Sequence, residues 1–185
     1  MPMLFNILTV AALCLFYGMF AFAIAIGKMV MRGFERIRTY FLFALTIYIY
    51  LSNIFNLPII GFLNTPFWNA PVLRWMGVAI LYIGIVLYYI DVIQFGRNLA
   101  IGVDENSKGL TTTGFYALSR NPMYISFMIY WLGAFLAFSN LGMLLILLGE
   151  AVFYHLQVVY KEEPFLRQHY GAPYEEYCKE VRRWL

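Results

Sequence analysis

Leu110-Thr-Thr-Thr-Gly-Phe-Tyr-Ala-Leu-Ser-Arg-Asn-Pro-Met-Tyr124 is the longest run of the chain that is neither a continuous apolar segment nor a plain charged loop. It holds small hydroxyl residues, a glycine, two tyrosines and an arginine, and its Asn121-Pro122 pair stands just before a new apolar segment. Proline is favoured at the first position of a helix and asparagine just before it, so a helix should start there. A helix start also leaves unpaired N–H groups, a ready site for an anion. We read the block as the rim of a small-molecule site at the mouth of a membrane bundle.

The surroundings of the block set the class of protein. Of the 185 residues 62% are hydrophobic and 12% charged, with a mean hydropathy of +0.70. A soluble domain is roughly half apolar and about a quarter charged. A membrane-crossing helix needs about 20 mostly apolar residues. Spans are expected over about 3–30, 40–60, 72–95, 122–138 and 141–161, with a polar tail over 162–185. The expectation is an all-α integral membrane protein: one domain over 1–185, a bundle of about five transmembrane helices with short C-terminal cytoplasmic helices. Gly77 and Gly84 lie two turns apart on one face of the third span, where a neighbour can approach closely. Asn53, Asn56 and Pro58 should loosen the end of the second, and the turn Ser139-Asn140 makes the last two spans a hairpin.

Twelve of the 13 Lys and Arg residues fall in the first loop, the third loop and the tail, or at the span ends beside them; Arg74 is the exception. The positive-inside rule then puts the N-terminus outside and the C-terminus in the cytoplasm. A net charge of +3 without a basic run argues against nucleic acid. Two cysteines, Cys14 and Cys178, and two histidines give no metal-ligand cluster.

In the tail, Pro164 and Gly171-Ala172-Pro173 are breaks, and two short helices are expected between and after them. Tyr174, Tyr177, Cys178 and Val181 share a face, suited to packing on the bundle mouth or lying at the membrane surface. Glu162-Glu163 sits where carboxylates oppose the helix macrodipole: either a solvated end or a group accepting bonds from a ligand. Tyr116 and Tyr124 are either interfacial aromatics or walls of a pocket for a ring or a cation. Glu150 lies inside a span, where ionisable residues are costly, and is expected protonated or paired. Asp91 is expected to reach the interface, and His155 to be a hydrogen-bonded interior histidine.

Two blocks carry a resemblance. The first is Leu110 to Tyr116 followed by Ser119-Arg120-Asn121-Pro122-Met123-Tyr124. The second is Glu162-Glu163, Tyr170-Gly171, Tyr174, Tyr177 and Val181-Arg182-Arg183-Trp184. Together they resemble the isoprenylcysteine carboxyl methyltransferase family and its phospholipid methyltransferase relatives, over about the last 90 residues. The resemblance implies S-adenosylmethionine bound on the cytoplasmic side, and a prenylated or lipid-like acceptor entering from the bilayer. It implies cofactor contacts at Lys108, Gly109, Leu110, Thr111, Tyr116, Asn121, Pro122, Met123, Tyr124 and Glu162. Two departures bear on the acceptor. Asn121 stands where the family's block has histidine. No arginine stands just before Glu162-Glu163, so Arg120, Arg97 or Lys161 would have to orient a substrate carboxylate. The implied activity is methyl transfer to the C-terminal carboxylate of a prenylated cysteine. The alternatives are a lipid amine acceptor, for which Glu162, Glu163 or His155 would be candidate bases, or an NADPH-dependent sterol reductase.

Overall fold

The computed structural model describes residues 3–25, 34–55, 63, 65–95 and 109–185. Five long helices carry the described chain: α1 (Met3–Ala25), α2 (Phe34–Phe55), α3 (Pro71–Phe95), α4 (Pro122–Phe138) and α5 (Leu141–Gln157). Two short helices close it, α6 (Glu163–Tyr170) and α7 (Ala172–Glu180). Four segments are long and apolar enough to cross a membrane: Met3–Phe22, Ile37–Phe55, Pro71–Gln94 and Leu141–Tyr170. The 17 residues of α4 reach about 25 Å, the short end of what a span needs. No strand occurs among the described residues, only an isolated bridge between Pro66 and Asn140. The molecule is an all-α, multi-pass membrane bundle.

Its tightest seam joins α3 to α4, and small residues set the distance. A Cβ built on Gly84 would lie 2.5 Å from Tyr130 N, and one on Gly77 would lie 2.8 Å from Gly133 O. Gly133 of α4 meets Leu81 and Gly77 of α3 in the same way. Close backbone approach through small residues is how helices associate where lipid removes the hydrophobic drive between them. Around the seam the core is aromatic. Phe16 of α1 stacks on Tyr130 with centroids 3.9 Å apart. Tyrosine hydroxyls reach across to a neighbouring helix: Tyr82 donates to Leu8 O at 2.9 Å and Tyr89 to Leu15 O at 3.1 Å, tying α3 to α1. By contrast, α2 touches α5 only sparsely.

Several boundaries differ from the sequence reading. α2 starts at Phe34, not near Tyr40, so Arg38 lies inside a helix rather than before it. Lys28, Arg32, Asn56 and Pro58 lie outside the described residues, while Asn53 bonds back to Ile49 O. The expected break at Pro164 is replaced by a π-turn over Val158–Glu162, and the helix runs on into α6. Pro164 has no N–H to give to the preceding turn, and a π-turn just upstream re-spaces that ladder. The break at Gly171 is present, with φ +58°. At the opposite end, Ser139 takes a left-handed conformation and Asn140 caps α5 by accepting from Met143 N at 2.9 Å. Ser139 also holds the preceding loop, since its O accepts from Phe67 N at 2.6 Å and its Oγ donates to Trp68 O at 2.9 Å.

Replacing Gly84 or Gly133 by leucine drives a side chain into facing backbone and should cost about 3 kcal/mol or more. A Cβ on Gly18 meets nothing within 4 Å, and Gly18→Leu should be near neutral. Thermal unfolding in detergent checks this; equal melting of all three variants would contradict the close seam.

Candidate functional site

The block that opened the sequence reading comes together with the C-terminus at one end of the bundle. Gly109 is exposed and Leu110 and Thr111 half-buried in an extended lead to a 3₁₀ turn, Gly114–Ala117. Gln94, at the end of α3, fixes that turn by accepting from Phe115 N at 3.0 Å. Gly114 has φ +65°, and a Cβ there would lie 2.5 Å from Gln94 Oε1, so the turn needs glycine. Tyr116 is buried beneath it, and its carbonyl accepts from Tyr177 Oη at 2.6 Å. Burial, then the nearby Asp91, Tyr177 and Glu162, pushes the Tyr116 hydroxyl well above its ordinary value, so it stays protonated.

The C-terminal segment clamps the next residues. Arg120 N donates to Arg182 O at 2.9 Å, Asn121 Nδ2 to Arg183 O at 2.9 Å and Ser119 Oγ to Arg183 O at 3.3 Å. Asn121 therefore does not cap α4 with its side chain, as expected from sequence; the side chain is turned to the tail instead. Pro122 is the first residue of α4 and is buried, with Met123 and Tyr124 half-buried after it. Tyr124 donates a hydrogen bond to Glu162 Oε1 in the π-turn, and its ring stacks on Tyr154 at 4.9 Å. This bond adds to the contacts through which the two sequence blocks meet.

Glu163 is the hub beneath them. It is 2% exposed, and Arg183 binds it through both oxygens, Nε to Oε1 at 2.7 Å and Nη2 to Oε2 at 3.0 Å. Arg120 Nη2 lies 3.3 Å and Arg167 Nη2 3.6 Å from the same carboxylate. Burial acts to raise the Glu163 pKa, but the three arginines, Arg183 foremost, leave it below its ordinary value. Arg120 also donates to Cys178 Sγ. On α7, Tyr174 and Tyr177 are buried, so this amphipathic face packs on the bundle mouth.

Behind Tyr124 lies a narrow cavity of about 60 Å³. Aromatic residues of α1, α4 and α5 line it, with Arg38, Glu150 and Gln157 as polar wall. Glu150 is paired, not solvated: Arg38 Nη1 lies 2.6 Å from its Oε1. Asp91 does not reach the interface; it is fully buried and accepts from Ser126 Oγ at 2.8 Å. His155 is exposed rather than interior and stacks on Trp184. Lys108 and Arg97 lie outside the described residues. No group of three or more His, Cys, Asp or Glu that could hold a metal occurs among the described residues. Sequence reasoning gave no individual role to Arg183, Ser119 or Arg38. The first two act mainly through the turn they clamp, and Arg38 looked like one more positive-inside charge. The one available signal was Glu150, which required a partner within the bundle.

The Glu163 clamp predicts an acid response. Its folded pKa is depressed, so its stabilisation is whole above the ordinary value of 4.5 and is lost as pH falls below it. Glu163→Gln should flatten the loss of melting temperature between about pH 5 and pH 3. Glu163→Ala at neutral pH should cost about 3 kcal/mol, because it leaves partly buried arginines unmatched. A wild-type acid profile in Glu163→Gln would contradict this.

Comparison with known proteins agrees with this architecture. The phospholipid methyltransferase family model matches residues 72–173, more than half of the chain. Two rice proteins, from the indica and japonica subspecies of Oryza sativa, are each 32% identical over 115 residues. Both are described as a probable protein-S-isoprenylcysteine O-methyltransferase, and the match covers 60% of this chain. The chain spans about 60% of the length of these curated relatives. With the family model matching over more than half of its length, the chain belongs to the phospholipid methyltransferase family.

Proposed function

We propose that the chain binds S-adenosylmethionine at the cytoplasmic mouth of the bundle and transfers its methyl group to the C-terminal carboxylate of a prenylated cysteine or a similar lipid-like acceptor. The observation that carries this reading is the Tyr124–Glu162 hydrogen bond, which joins both sequence blocks at the edge of an aromatic cavity. When bound, the cofactor supplies an electrophilic methyl group on a sulfonium. The residues present suit such a ligand. The stacked Tyr124 and Tyr154 rings offer a face to a cation. Glu162 is a carboxylate acceptor for an amine or sugar hydroxyls. The start of α4 has no side-chain cap and can receive a carboxylate beside Pro122, at the N–H groups of Met123 and Tyr124. Lys108 to Thr111, Tyr116 and Asn121 complete the proposed contact set.

The remaining work of the protein is alignment and exclusion of water. An acceptor carboxylate is already an adequate nucleophile at neutral pH, so the site requires no general base. Tyr116 stays protonated, and Glu163 is occupied by arginines and unsuited to take a proton. With positive residues inside, the N-terminus faces outward and the tail the cytoplasm. A lipid amine acceptor is the second reading, favoured by the family description. It requires a proton acceptor, and Glu162, bonded to Tyr124 at the edge of the cavity, is the candidate.

Calorimetric titration of the detergent-purified chain tests the cofactor. S-adenosylmethionine and S-adenosylhomocysteine should bind, and Glu162→Ala or Tyr124→Ala should weaken each by about tenfold or more. Binding of NADPH alone would move the assignment to a reductase. Binding of none by folded protein would overturn it. A methyl-transfer rate that falls steeply below a side-chain pKa would favour the amine acceptor.

A further inference from the structure

Arg38 and Glu150 take no part in the contacts assigned above. Arg38 enters from the first turns of α2, and its guanidinium carbon lies 3.3 Å over the Phe153 ring. Glu150 holds it through one oxygen, while Arg38 Nε makes no hydrogen bond. The two side chains are 18% and 4% exposed. A buried ion pair is at best about neutral for stability against apolar residues of the same volume. Ionisable groups within spans usually mark a ligand path.

The pair stands where two spaces meet. The interior cavity behind Tyr124 and a second, apolar groove of about 320 Å³ share Arg38, Leu42, Glu150 and Phe153 as walls. The groove runs between α2 and α5, past Leu45 and Ile49 on one side and Leu145 and Ile146 on the other. From Arg38 to Ile49 it extends about 16 Å along α2. Nothing would meet a Cβ on Gly149 within 4 Å, so the seam is open at that turn. An apolar groove that ends at a guanidinium fits an amphiphile with an anionic head. Arginine has five N–H donors in a planar fork, and Glu150 uses only one of its nitrogens here.

We propose that Arg38, positioned by Glu150, binds the oxyanion of a lipid-borne methyl acceptor whose tail lies in the α2–α5 groove. This rests on the methyltransferase reading and supplies the cation that the sequence lacks just before Glu162-Glu163. The oxyanion is the carboxylate of a prenylated cysteine or the phosphate of a phospholipid. In both cases the reacting end points from Arg38 into the cavity bordered by Tyr124.

The test measures binding to the full chain in detergent without cofactor. The probes are N-acetyl-S-farnesyl-cysteine, its methyl ester and dioleoyl phosphatidylethanolamine. The variant is Arg38→Gln combined with Glu150→Gln, which leaves no charge unpaired; unchanged melting shows that it is folded. Wild type should bind the acid about tenfold to a hundredfold more tightly than the ester. In the variant that preference should vanish while the ester's Kd holds, a change that a merely structural pair would not produce. If acid and ester bind alike but the phospholipid binds only to wild type, the oxyanion is phosphate. An acid preference retained by the variant overturns the proposal. So does wild type that shows neither an acid preference nor pair-dependent phospholipid binding. Loss of the methyltransferase reading would appear separately, as absent S-adenosylmethionine binding in the calorimetric titration.

Discussion

The buried Glu163 carboxylate and the arginines around it hold the tail end of the bundle in shape. Arg183 grips both of its oxygens from the C-terminal segment, and Arg120 reaches it from the turn before α4. One carboxylate therefore joins the α5–α6 helix, the start of α4 and the chain end. The bonds from Ser119, Arg120 and Asn121 to the Arg182 and Arg183 carbonyls follow from that closure, because they need the tail in place. Tyr124 and Glu162 then face each other across the same junction.

Within the bundle, polar groups are placed by a different constraint. Water is not at hand to satisfy a buried charge, so each must find a partner on another helix or bear a large cost. Asp91 takes Ser126, and Glu150 takes Arg38. The first pair lies in the glycine-tight α3–α4 seam, whereas the second joins α2 to α5 beside open space. The bundle thus has a rigid half, where backbone meets backbone, and a looser half, where α2 and α5 leave room between them.

Much of the architecture was legible because membrane spans are written as length and apolar content. The glycine face of the third span, the α4–α5 hairpin, the helix start at Pro122 and the two tail helices follow from local rules about proline, glycine and periodicity. Local rules failed where a distant partner outbid the neighbour. Asn121 reads as a helix cap, but the Arg183 carbonyl takes its amide. Pro164 reads as a break, but a π-turn absorbs it within a continuous helix. His155 reads as interior, yet it faces outward against Trp184.

The sequence by itself determined a polytopic helical membrane protein, its span order and the two blocks that mark its family. Those are properties of composition and spacing, and solvent enforces them before any helix meets another. Only the tertiary structure decided which of the two glutamates is sequestered by arginines and which faces Tyr124. It also decided that Arg38, far earlier in the chain, completes Glu150 at the meeting of groove and cavity. Charge pairing in a low-dielectric interior depends on which helix faces lie opposite each other, and neighbouring positions along a chain do not encode that.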